Sequence, residues 1–167
     1  MPNTNAIVST VTRLDPPLDR APAEMLRTEG GIFVELEEGA RRLRLDPANP
    51  RSAGFAQALD ASSKQKRLVY LEVDPATSSI TRVLIPYVTR VVDVRAGDDG
   101  LDVDIERSHA RHVLPRGVAD FDELESRLRE SQAAGAVVIL TEDDAHHIID
   151  IRGFPPGAGT PPPPLGR

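Results

Sequence analysis

The sequence predicts an α+β fold: an antiparallel, curved sheet from a candidate internal ββαββ duplication, with two main helices on one side. Three observations carry this expectation. A helix-like run, an apolar strand, an acidic turn and a second strand occur in that order twice, over 55–85 and 121–152. Phe55 and Phe121 open the two copies, and Val69 and Ile80 are eleven residues apart, as are Val137 and Ile148. A hairpin pattern precedes each copy, at 32–46 and at 88–106, which sets the repeats at 31–86 and 87–154.

Residues 1–30 read as an N-terminal arm around one candidate strand, Ala6 to Leu14. Pro16, Pro17 and Pro22 then break regular structure, and Ala23 to Thr28 has room for a single helical turn before Gly30 and Gly31. From Ile32 to Glu37 apolar and polar residues alternate, and after Glu38–Gly39 the alternation resumes with Leu43 and Leu45. Period-two patterning around a glycine-bearing turn is a hairpin. Its polar faces set Glu35 and Glu37 against Arg42 and Arg44, exposed pairs of low individual value.

DPANPRSAG is turn chemistry, with Asn49 or Ser52 as N-cap. A helix from about Ala53 to Lys66 then carries Phe55, Ala58, Leu59 and Ser62 at three-and-four spacing. The hairpin Leu68 to Ile85 turns through DPATSS, and Pro86 ends it. YVTRVVDVR and LDVDIE flank AGDDG in another hairpin. It turns Leu101, Val103 and Ile105 inward and leaves an acidic stripe outside. RSHARHVLPRG reads as irregular or as a single helical turn. Asp120 and Glu123 stand at capping-box positions for a helix from Phe121 to Gln132 that Gly135 stops. Ala136 to Leu140 is apolar on both faces, as a central strand is. His147 to Arg152 closes the fold, and PPGAGTPPPPLGR is a polyproline-like disordered tail, 155–167.

Strands at 83–85 and 136–140 are expected to share one sheet. That makes 31–154 a single α+β domain whose halves do not fold apart. With four Phe, two Tyr and no Trp, the core must be aliphatic. No cysteine is present, which removes disulfides, thiolate ligands and a cysteine nucleophile. A net charge of −6 argues against nucleic acid, whose phosphates need clustered Lys and Arg. No apolar run reaches the roughly 20 residues of a spanning helix, and the first fifteen residues lack the pattern of a signal peptide. A cytoplasmic protein without membrane attachment is expected.

All four histidines lie in the second half, His109 and His112 in SHARH, His146 and His147 in EDDAHH. With Asp143 or Asp144 they form the candidate metal set, since imidazole and carboxylate donors are what a zinc-class ion takes. The spacing matches no established ligand signature. Alternation in HHIIDIR puts His147 on the face of Ile149 and Ile151, and His146 with Ile148 and Asp150. Asp93, Asp102, Asp104 and Glu106 are the candidate acidic binding face for a basic protein partner, with Arg90 and Arg95 at hand to neutralise part of it. Ser108 beside His109 is the one adjacent hydroxyl–imidazole pair, and neighbours in sequence rarely point at one another. Neither a GxSxG elbow nor a glycine-rich phosphate loop is present. The reading is therefore a non-enzymatic protein-binding or adaptor module without a cofactor, using exposed strands or the acidic face. The alternative is a small metal-dependent enzyme built on the C-terminal histidines and aspartates.

Overall fold

In the computed structural model, which describes residues 5–154, two antiparallel five-stranded sheets and three α-helices form an α+β fold. The strands expected to share one sheet are divided between two, and the chain splits at Ile85/Pro86 into two compact units. The proline-rich segment 155–167 lies outside the described residues.

The first unit runs β1 (Ala6–Asp15), α1 (Pro22–Glu29), β2 (Ile32–Leu36), β3 (Arg42–Leu45), α2 (Ser52–Lys64), β4 (Leu68–Val73) and β5 (Ile80–Leu84). Its strand order is β3-β2-β1-β4-β5. The segment expected to be an arm thus supplies the central strand. Ala6, Ile7, Val8 and Ser9 are all buried, a both-faces pattern that period-two reading understates. The second unit runs β6 (Tyr87–Ala96), β7 (Gly100–Ile105), β8 (His112–Pro115), α3 (Phe121–Ala134), β9 (Val137–Glu142) and β10 (Ile148–Gly153), in the order β8-β7-β6-β9-β10. Strand for strand, the two orders are the same, and each unit places one helix between its third and fourth strands. The first unit adds α1 between its first two.

Each helix covers one face of its own sheet. In α2, Ala56 and Leu59 join Ile7, Val11, Leu43, Val69, Leu71, Val73 and Ile80 in one apolar cluster. In α3, Leu124 and Leu128 join Val91, Val103, Leu114, Val138, Leu140 and Ile148 in another. Burying each such aliphatic side chain is worth about 1.5–3 kcal/mol. Gly30 and Gly135, both left-handed at φ 71° and 61°, terminate α1 and α3.

The registers agree closely. Val11 pairs with Leu36 and Val91 with Ile105, each followed by a bulge. Val34 pairs with Leu43 where Val103 pairs with His112. Ile7 pairs with Leu71 where Tyr87 pairs with Leu140. Ser9 pairs with Val69 and Thr89 with Val138. The counterpart of Val69 is therefore Val138, one place beyond the position equal spacing suggests, because the second turn is a residue shorter. Both sheets curl until the third strand meets the turn that leads into the fifth, at a single isolated bridge, Arg44 with Ser79 and Val113 with His147. The Arg44 amide donates to the Ser78 carbonyl at 2.9 Å, and the Val113 amide to that of His146 at 3.0 Å.

Two local expectations change. The segment around His112 forms strand β8, too short at four residues to show a period. It packs against Gly100, where an added Cβ would lie 2.0 Å from the Leu114 carbonyl oxygen, so only glycine admits the approach. In β10 a bulge falls between Ile148 and Asp150. It turns Ile148, Asp150 and Ile151 inward and leaves His147 exposed in the turn, because one extra residue reverses the alternation.

Candidate metal centre

The end of the second unit's curled sheet carries a polar cluster on the face that elsewhere is core. His112 comes from edge strand β8, Glu142 from the last position of β9, and His146 from the turn between β9 and β10. Register places all three on one side. Val103, opposite His112, and Ile148, opposite Glu142, are both members of the apolar cluster.

Asp143 builds the turn that presents His146. Its carboxylate accepts the Ala145 and His147 amides at 2.9 and 3.0 Å, and its carbonyl accepts the His146 amide at 3.0 Å. That Asx geometry holds His146 at φ 60°, in the left-handed region. The turn of the first unit is built alike: Asp74 accepts the Ala76 amide on its carboxylate and the Ser78 amide on its carbonyl, with Ser78 at φ 58°.

Glu142 is 8% exposed and its two oxygens are divided between the imidazoles: His112 Nδ1 lies 2.5 Å from Oε2, and His146 Nδ1 2.5 Å from Oε1. The carboxylate can only accept, so each Nδ1 donates. On the far side of His112, Nε2 is 2.7 Å from the Ser108 hydroxyl, which also accepts the Ala110 amide at 3.3 Å. Tyr87 packs edge-on against His112, centroids 5.7 Å apart, and its hydroxyl interacts with Glu142. Burial, and then the neighbouring carboxylate, raise the Tyr87 phenol above its ordinary range. His112 is wholly buried, whereas the side chain of His146 is 46% exposed, so the cluster has one wet side.

One donor atom from each of His112, Glu142 and His146 lies within 4.8 Å of the others. Ligands of a tetrahedral zinc-class ion sit roughly 3.3–3.6 Å apart, as bond lengths of about 2.0–2.2 Å require. An ion held by all three would draw them to that spacing. Ser108 then occupies the place of the outer partner that fixes a ligating imidazole through its second nitrogen. The chain Ser108–His112–Glu142 also has the connectivity of a hydroxyl nucleophile with its base and orienting carboxylate. In such an arrangement the second carboxylate oxygen is open to a further donor. Here both oxygens hold an Nδ1, which is what a shared cation replaces.

Of the six residues in the candidate metal set, the structure brings together His112 and His146 and adds Glu142. His109 is exposed elsewhere, Asp144 is exposed, and Asp143 is engaged by the turn; His147 lies 3.7 Å from Asp143, outside the cluster. On the acidic face, register sets Asp93 directly opposite Asp104, a repulsive pairing. Arg95 bridges both, at 3.1 and 2.7 Å. Arg111 takes Asp102 at 3.1 Å and Arg90 takes Glu106 at 3.5 Å. In the first unit Glu35 is held by Arg13 and not by the hairpin arginines; Arg42 reaches Asp15 and covers the Phe33 ring at 4.1 Å.

The first unit shows what this corner of the fold needs. At the positions of Tyr87, His112 and Glu142 it has Ile7, Leu43 and Val73, all members of its buried cluster. Ser78 stands in place of His146. The architecture is thus completed by aliphatic packing in one unit, whereas the second places donors at the same positions. No protein-family model, curated protein or solved structure matches the chain, so the reading of this corner rests on its geometry.

Proposed function

We propose that the second unit binds a divalent transition-metal ion through His112, Glu142 and His146. The observation that carries this reading is the contrast between the two corners. The same backbone is closed by Ile7, Leu43 and Val73 in one unit and by convergent nitrogen and carboxylate donors in the other. Two imidazoles with one carboxylate favour zinc, cobalt or nickel over magnesium and calcium, which take oxygen shells. To coordinate through Nδ1, each imidazole would carry its proton on Nε2 instead, and His112 Nε2–H would donate to the Ser108 hydroxyl, which lies 2.7 Å away. Three protein donors would leave a fourth position open to water on the wet side beside His146.

The protein-binding reading of the acidic face has less behind it. Its four carboxylates share three arginines, with Arg95 serving both Asp93 and Asp104, which leaves little unbalanced charge to draw a basic partner.

Cobalt(II) reports coordination directly. Titrating the chelator-treated protein should give one equivalent of visible d–d absorption of tetrahedral intensity, displaced by zinc. Glu142→Gln and His146→Ser should each weaken binding by at least about tenfold, the range seen when a site loses a supporting group. His109→Ala should leave it unchanged. Equal weakening by His109→Ala, or no cobalt spectrum in wild type, would count against the site.

A further inference from the structure

We infer that the metal ion acts as a clasp, tying edge strand β8 to the β9–β10 turn, so that closure of the second unit's sheet depends on occupancy. This rests on the metal reading and adds its consequence for the fold. In the strand order β8-β7-β6-β9-β10 the two edges are β8 and β10. His112 stands on the first edge, and Glu142 and His146 stand at the junction leading into the second. The three ligands therefore span the seam of the curled sheet.

Without the ion that seam is held by the Val113-to-His146 backbone bond and by the imidazole contacts to Glu142. The matching seam of the first unit keeps the same backbone bond, Arg44 to Ser78, and seals it with Leu43, Val73 and Ile80. In one seam apolar packing backs the backbone bond. In the other, a hydrated buried carboxylate is an available alternative to closure, because Glu142 regains solvation when the edges part. An ion that requires all three ligands penalises that opening, since it must be released first.

Hydrogen exchange on the full chain tests this, because each seam carries its own reporter. In chelator the Val113 amide should exchange faster than the Arg44 amide. With free zinc at about 100 times its dissociation constant, Val113 exchange should slow by about a hundredfold, with Arg44 unchanged. His146→Ser copies the residue of the first seam and keeps a side chain that tolerates the left-handed turn. It should abolish the zinc effect without loss of fold. Calorimetry on the same samples separates the two claims. Zinc that binds stoichiometrically while Val113 exchanges at its chelator rate overturns the clasp and leaves the site. Slowing that is uniform across the second unit also overturns it. Zinc that does not bind removes both.

Discussion

In metal-free protein, His112→Leu should lower stability by about 3 kcal/mol or more, whereas His112→Leu with Glu142→Val should restore it to within about 1 kcal/mol of wild type or above it. The single change leaves a carboxylate that is almost fully buried without its most deeply placed donor, and breaking a buried pair from one side typically costs about 3–5 kcal/mol. The double change writes the first unit's Leu43 and Val73 into the second. Buried polar pairs replaced by apolar residues of similar volume are often neutral, or stabilising by about 1–4 kcal/mol. His146 is half exposed and can turn to water, and Ser108 is only partly buried, so neither is stranded. Chemical denaturation of the four proteins of the cycle gives the coupling energy. Additive losses would mean that the corner is not one network and that the two units are not interchangeable there.

Fragments 3–85 and 86–167 should each melt cooperatively when expressed alone. The sequence reading expects the opposite, since it merges the strands into one sheet. The structure divides them into two sheets, each with its own helix and its own aliphatic cluster. Units of this size are near the lower limit for an independent core, so modest stabilities are expected, and zinc should raise that of 86–167 alone. Calorimetric scans read this directly. A fragment that shows no cooperative transition would mean that its core is incomplete without the other unit.

Much of the architecture was legible because hairpins advertise themselves. Ile32–Leu36 and Gly100–Ile105 alternate cleanly, with glycine-bearing turns beside them. Both main helices follow three-and-four spacing and stop where a left-handed residue allows it. β1 was harder to place. A central strand shows little alternation where both its faces are covered, and proline follows it closely, so it resembled an arm. β8 is not legible, since its four residues, His112–Pro115, are too few to display a period. The bulge at Ile149 has no sequence signal, and strict alternation without it turns His147 inward and His146 outward. Glu142 does not stand out in the sequence because it closes an apolar run that continues into acidic turn residues. Its partner His112 is thirty residues away in sequence, and only the curl of the sheet brings them together. The one available hint was a carboxylate at the end of a buried strand, four residues before a histidine.

Anomalous scattering from a zinc-soaked crystal distinguishes a metal site at this corner from a purely hydrogen-bonded cluster. Data collected on either side of the zinc edge should show one strong peak in the second unit, within about 2.0–2.2 Å of His112 Nδ1, His146 Nδ1 and one Glu142 oxygen. No peak should occur among Leu43, Val73 and Ser78 of the first unit. A crystal with zinc bound only at surface carboxylates or at His109, and with Glu142 still hydrogen-bonded to both imidazoles, would contradict the account.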